Sequence, residues 1–159
     1  MSSKALYKLI RAAVIAVAIC GAAAFIYLVP LFGADIAKNN PEYAYCYFPW
    51  LIFIWITAVP CFVFLIFIWK ISTAVKYDTV FTLQTARLVK ISAALLFIVV
   101  GFFFVGNILF MLLGMNHPGI LLLSLIADVF GVSLALMAAV MARYLTKAAT
   151  LQEEADSTI

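Results

Sequence analysis

One carboxylate inside an apolar stretch is the residue best placed to do chemistry. Asp128 interrupts the otherwise apolar run 120–141, eight residues after Ile120. An ionised carboxylate in hydrocarbon costs roughly several kcal/mol unless it is paired, hydrated or protonated. Asp128 therefore predicts either a site for a cation, a proton or a substrate, or a hydrogen-bonded carboxyl that locks two helices together. The sequence leaves both alternatives open.

Two other polar residues lie at a similar depth. Asn107 falls in the apolar run 91–113, and Ser124 precedes Asp128 by one helical turn on the same face. The Asn107 amide could bond Asp128 across a helix pair, or it could bond its own backbone or another side chain. Asp128, Asn107 and Ser124 together form the predicted intramembrane polar site.

The elements that must position these residues follow from composition and run length. The 159 residues are 68% hydrophobic and 11% charged, whereas soluble domains have about 25% charged residues. Crossing a hydrocarbon core takes about 20 apolar residues, and four runs meet that length. They cover residues 12–32, 48–69, 91–113 and 120–141. The sequence predicts an all-α fold: one integral membrane four-helix bundle spanning residues 1–159, with the lipid bilayer as its solvent.

Basic residues between the runs predict the orientation. Nine of the ten Lys and Arg residues fall on one side of the predicted bundle, and only Lys38 falls on the other. The nine are Lys4, Lys8, Arg11, Lys70, Lys76, Arg87, Lys90, Arg143 and Lys147. Because short cytoplasmic segments are enriched in these residues, both termini are expected to be cytoplasmic. Segments 33–47 and 114–119 are then outer loops.

The segment 71–90 predicts a helical cytoplasmic stem before the third span. The second helix should run about one turn past Trp69, and Thr82 is placed to cap the next helix. A cytoplasmic partner would contact Phe81, Thr82, Arg87 and Lys90; the alternative is a solvated connector. The polar tail after Lys147 is expected to fray.

Small residues recur on the fourth helix. Ala127, Gly131, Ala135 and Ala139 are spaced by four, a pattern that allows close helix contact in membranes. The stripe fits packing within the chain as well as a homodimer or another membrane partner.

Several kinds of chemistry lack their residues. The chain has no P-loop, HExxH, Gly-rich dinucleotide turn or GxSxG motif. Its three cysteines form no CxxC, and one histidine cannot build a multi-histidine metal site. No basic run stands out. We therefore expect no catalytic residue, no cofactor, no metal site and no direct contact with nucleic acid.

A short motif carries a family resemblance. Trp69-Lys70-Ile71 and the segment from Phe81-Thr82 through Arg87, Lys90 and Ile91 resemble a family of small bacterial four-helix membrane proteins of unknown function. In that family a Phe-Thr/Ser turn precedes a basic, Leu-containing helix start. Such proteins are often encoded beside small helix-turn-helix repressors. The resemblance implies a bacterial plasma membrane location and a signalling or immunity role without enzyme activity.

Two functional hypotheses follow from these observations. The first is a non-enzymatic sensor, immunity or accessory subunit that works through a soluble cytoplasmic regulator. The alternative is a small transporter or channel subunit, with Asp128 and Asn107 lining a polar path.

Overall fold

A computed structural model describes residues 2–157, which are helical apart from short connections. The elements are α1 (Ser3–Ala23), a π-helical turn (Ala24–Leu28), α2 (Val29–Asn39), a 3₁₀ turn (Pro41–Cys46), α3 (Tyr47–Lys76), α4 (Leu83–Leu112) and α5 (Pro118–Ser157). Within the described range no strand occurs. The all-α prediction is confirmed.

Four helical stretches are long and apolar enough to cross a membrane: Ser3–Asn39, Pro41–Lys76, Leu83–Leu112 and Pro118–Ala155. The chain is therefore a multi-pass membrane protein. The helix α5 has 40 residues, which makes it about 60 Å long, roughly twice the thickness of a hydrocarbon core. The prediction of a frayed tail after Lys147 is wrong, because the helix continues to Ser157.

The helices are neighbours in chain order. α1 lies along α3, α3 along α4, and α4 along α5, whereas no Cα of α1 comes within 8 Å of α4 or α5 in the described part of the chain. The accessible surface is 10722 Å², against about 7,900 Å² for a compact soluble protein of 17.5 kDa. The bundle is thus open, and most side chains face outward.

We name the two ends of the bundle by what they carry. The basic end holds the start of α1, the turn between α3 and α4, and the last part of α5. The hairpin end holds the Pro41–Cys46 turn and the turn between α4 and α5. At the basic end, a hydrogen bond from Ser3 Oγ to Asp78 Oδ1 (2.7 Å) joins the start of α1 to the turn between α3 and α4.

The hairpin end is more helical than the sequence predicts. Segment 33–47 was expected to be a loop, but α2 continues to Asn39 and a 3₁₀ turn follows. Only Asn40 leaves helical geometry, with φ −133° and ψ 79°, because Pro41 disfavours the α conformation before it. The second connection is a tight turn as predicted, with Gly114 at φ +69°, where glycine has no Cβ to clash.

A wide turn in the first span follows from Pro30. The Val29 N–H bonds the Ala24 carbonyl, five residues back, as in a π-helix. The same spacing would pair residue 30 with the Phe25 carbonyl, but proline has no N–H to donate. The indole N–H of Trp55 in α3 bonds that carbonyl instead, at 2.8 Å. The Phe25 carbonyl, left without a donor in its own helix, is thus satisfied by a side chain of α3.

The contact between α4 and α5 follows a seven-residue repeat. α5 buries Asp128, Ala135, Ala142 and Ala149, and α4 buries Ala86, Ala93 and Asn107. Seven residues advance a helix by nearly two whole turns, so these positions form a straight seam like that of a coiled coil. A stripe spaced by four winds round the helix. Of the predicted stripe, Ala135 is fully buried in this seam, whereas Ala127 is exposed and lies outside it.

Candidate functional site

Asp128 lies on the α4-facing side of α5. Only 8% of its surface is exposed, and among residues 2–157 its buried Oδ2 atom has no hydrogen-bond partner. A buried carboxyl oxygen in a native structure is normally satisfied. One buried oxygen of Asp128 therefore lacks a donor or a cation.

Asp128 lines an open groove of about 510 Å³ between α4 and α5. The rest of the lining is apolar apart from Ser133: Phe97, Val100, Gly101, Phe104, Leu125, Val129 and Val132. α3 packs on another face of α4, where Phe53 contacts the rings of Phe102 and Phe103. The groove is thus bordered by two helices only, and it opens towards lipid.

Asn107 belongs to a different network. Its amide nitrogen donates to the Phe103 carbonyl at 2.9 Å, and its side-chain oxygen accepts from Asn116 Nδ2 at 3.2 Å. The Asn116 oxygen in turn accepts from the backbone N–H of His117 at 2.8 Å. With 1% of its surface exposed, Asn107 fastens the last turns of α4 to the connection with α5.

The helix register separates Asn107 from Asp128. A Cβ atom placed on Gly131 would lie 2.5 Å from Val100 Cγ2, so these two residues face each other. Seven residues along each antiparallel helix, Asn107 therefore faces Ser124, and Asp128 lies about 6 Å further along the axis. The bond between Asn107 and Asp128 is not formed, and the alternative of backbone and side-chain partners is confirmed.

Ser124 also bonds locally. Its hydroxyl donates to the Leu121 carbonyl, one turn back, at 2.8 Å. The three predicted site residues therefore lie on one helix seam without forming one network. A hydroxyl bonded to its own helix does not satisfy Asp128.

The predicted helix cap at Thr82 is confirmed. Its hydroxyl oxygen accepts from the Thr85 N–H at 3.3 Å, and α4 begins at the next residue. α3 ends at Lys76. Beyond it, Asp78 has φ +56° and the Thr79 N–H bonds the Ala74 carbonyl, as in a Schellman turn. Local hydrogen bonds therefore satisfy both the end of α3 and the start of α4 within this connection.

The other predicted contact residues of this segment point outward. Phe81 is 56% exposed, and Arg87 and Lys90 are exposed on the first turns of α4. Arg143 and Lys147 are exposed on the facing part of α5. The basic end therefore presents cationic side chains from two helices that touch each other.

Sequence reasoning missed a cation–aromatic cluster at the basic end. The Arg11 guanidinium carbon lies 4.0 Å from the Trp69 ring centroid and 4.5 Å from that of Tyr7. Lys76 Nζ lies 4.8 Å from the Tyr77 ring. The spacing of four between Tyr7 and Arg11 could have indicated half of the cluster. The contact with Trp69 depends on how α1 packs against α3, which no local pattern encodes.

A second open cavity, of about 640 Å³, lies at the hairpin end. It is bordered by α2, by α3, and by the connection between α4 and α5 with the first turn of α5. The Trp50 indole N–H bonds the Met115 carbonyl at 2.8 Å and fixes one wall. Its mainly apolar lining suits an acyl chain or another apolar group.

Comparison with known proteins identifies a family. The family model described as a protein of unknown function (DUF2975) matches residues 31–159. No curated protein matches the chain, and no solved structure matches it.

Proposed function

We infer that this chain, which belongs to the DUF2975 family of proteins of unknown function, is a non-enzymatic sensor, immunity or accessory subunit of the membrane. In this proposal it acts through a soluble partner at its basic end. The positive-inside rule puts that end, and with it both termini, in the cytoplasm.

The observation that carries the proposal is the continuation of the α4–α5 seam beyond the apolar runs. Thr85 and Ala86 at the start of α4 are buried, as are Ala142 and Ala149 on the last third of α5. In this proposal the two helices act as a paired stem, residues 83–90 with 142–149, rather than as two separate tails. Since each helix is continuous with a span, a shift of the pair within the membrane is transmitted to the stem.

The surface chemistry of the stem suits an acidic partner. Arg87, Lys90, Arg143 and Lys147 are exposed on it, and Phe81 adds an exposed ring beside them. Arginine and aromatic side chains are enriched where protein interfaces gain most of their binding energy.

Site-specific photocrosslinking in intact cells tests this function. A photoreactive residue replaces Phe81 in the full-length chain, and the adduct is identified by mass spectrometry. We expect an adduct with one soluble protein, lost in Arg87→Glu/Lys90→Glu. The matched control is Lys38→Glu, an exposed base at the other end, which should retain the adduct. If the same adduct formed in Arg87→Glu/Lys90→Glu as in the unmodified chain, the proposal would be overturned.

The proposed orientation has a separate test. Single cysteines placed at Lys4 and Lys147 in a cysteine-free chain should resist a membrane-impermeant maleimide in intact cells and react after lysis. A cysteine at Lys38 should react in intact cells. Labelling of the first two from outside would reverse the topology and remove a cytoplasmic partner from consideration.

The unpartnered Oδ2 of Asp128 favours a small transporter or channel subunit as the second candidate. It ranks below the first because Asn107 and Ser124 bond locally and do not extend a polar path from Asp128. Purified protein in liposomes would show cation flux that Asp128→Asn abolishes. Absence of Asp128-dependent flux for protons, sodium and potassium would rule this candidate out.

A further inference from the structure

We propose that the groove between α4 and α5 around Asp128 binds a transmembrane helix of another membrane protein, through a lysine or arginine near the middle of that helix. The inference deepens the proposed accessory role by giving the chemistry of a partner within the membrane. Binding of this helix would depend on Asp128 and Gly101 and not on the stem.

The shape of the groove suits a helix. Its α4 wall runs from Phe97 to Phe104 and its α5 wall from Leu125 to Ser133, about 10–12 Å of each helix. That length is two turns, the extent over which side-chain ridges of one helix fit the grooves of another. A Cβ atom placed on Gly101 would meet nothing within 4 Å. Gly101 therefore leaves room for close approach of a backbone.

An ionised Asp128 in this groove would be stabilised by a partner that brings a cationic donor. Asp128 is more than nine-tenths buried, and its Oδ2 has no partner within the described chain. A lysine or arginine in the middle of a lone helix also carries a high cost in hydrocarbon. Pairing the two groups in one groove relieves both costs, and truncating either partner then leaves an uncompensated polar group.

A second copy of this chain has no cationic side chain at this depth. None of the four apolar runs contains Lys or Arg, so a symmetric dimer at this groove would bring two Asp128 carboxyls together. Amine headgroups of lipids are about 12 Å away from a residue eight positions inside the span. The occupant that fits both the shape and the charge is therefore a basic helix from a different protein.

The test uses purified full-length protein in phosphatidylcholine vesicles and a synthetic Leu/Ala helix of about 20 residues with one central lysine. A twin peptide carries leucine at that position, and binding is measured by fluorescence energy transfer. We expect the lysine peptide to bind about tenfold more tightly than its twin, the size of a favourable interhelical polar contact.

Three variants locate the binding site. Asp128→Asn should abolish the preference for lysine. Gly101→Leu should weaken both peptides by filling the groove while leaving Asp128 unchanged. Ala127→Leu introduces the same leucine at an exposed position on another face of α5 and should bind like the unmodified protein.

Equal binding of the two peptides, an unchanged preference in Asp128→Asn, or normal binding by Gly101→Leu would overturn the inference. Self-association of the protein that depends on Asp128 would assign the groove to a second copy and also overturn it. The Phe81 adduct should survive Asp128→Asn, so failure here and failure of the stem proposal are distinguishable.

Discussion

The two halves of this bundle are held together by different means. α4 and α5 meet along a seam of small side chains that extends from Ser124 to Ala149 on α5. The first span, α1 with the π-helical turn, meets α3 through rings and single polar contacts: Arg11 over Trp69, Phe25 against Phe62, and Trp55 on the Phe25 carbonyl. The α4–α5 half is therefore held by one continuous close contact, and the α1–α3 half by a few separate side-chain contacts.

The difference shows what stabilises helices in lipid. Apolar side chains gain little by leaving lipid for another helix, so close van der Waals contact and polar bonds must supply the attraction. Small residues allow that contact over a long distance, whereas rings and cations provide it locally. We therefore expect α4–α5 to be the rigid half and α1–α3 the half that can rearrange.

The largest expected effect is at the seam. Gly131→Ala places a methyl group 2.5 Å from Val100 Cγ2 and should lower the free energy of unfolding by about 1–3 kcal/mol through overpacking. Unfolding by sodium dodecyl sulfate in mixed micelles measures it. Gly21→Ala, whose methyl group would lie 3.5 Å from Phe62, should change stability by less than about 0.5 kcal/mol. Equal losses at the two glycines would remove the distinction between the halves.

The next effect is at the hairpin end of the rigid half. Asn107→Ala removes the side-chain acceptor for Asn116 Nδ2, leaving the residue 107 carbonyl, and the donor to the Phe103 carbonyl, so it should cost about 1–2 kcal/mol. A double-mutant cycle with Asn116→Ala should give a coupling energy of about 0.6–1.7 kcal/mol. Additive single effects would mean that the two amides do not act as a pair.

A smaller effect is expected in the α1–α3 half. Arg11→Leu removes the cation over Trp69 and should cost about 1 kcal/mol. The loss should appear as faster amide exchange in Ser3–Ala23, with exchange in α4 and α5 unchanged. Arg11→Lys keeps the charge and should recover part of the protection. Faster exchange throughout the bundle would show that the two halves are not independent.

The smallest effect is local. Trp55→Phe removes the donor to the Phe25 carbonyl and should cost less than about 1 kcal/mol, because one neutral hydrogen bond is lost. The infrared band of a ¹³C-labelled Phe25 carbonyl should move to higher frequency. Trp50→Phe removes an indole bonded to Met115 and should leave that band in place. An unmoved band in Trp55→Phe would contradict the account of the π-helical turn.

Local patterns predicted the helices well and the candidate site only in part. Hydropathy identified four apolar runs, and the Thr82 cap was readable because its side chain bonds a backbone group three residues away. Asp128 and Asn107 were identified as buried polar residues, but their partners were not. Partners depend on register: a shift of one turn between α4 and α5 decides whether Asn107 meets Asp128 or Ser124.

The sequence by itself determined that this is an all-helical membrane protein with four spans, since lipid cannot satisfy backbone polar groups and a span needs a fixed length of apolar residues. Only the tertiary structure decided which faces touch: the seven-residue seam of α4 and α5, the Arg11–Trp69 contact, and the groove that leaves Asp128 without a partner. The physical reason is that hydrophobicity is nearly uniform around α3 and α4, the central helices in the chain order of contacts. It drives them into the membrane but does not mark the side on which each one meets its neighbour.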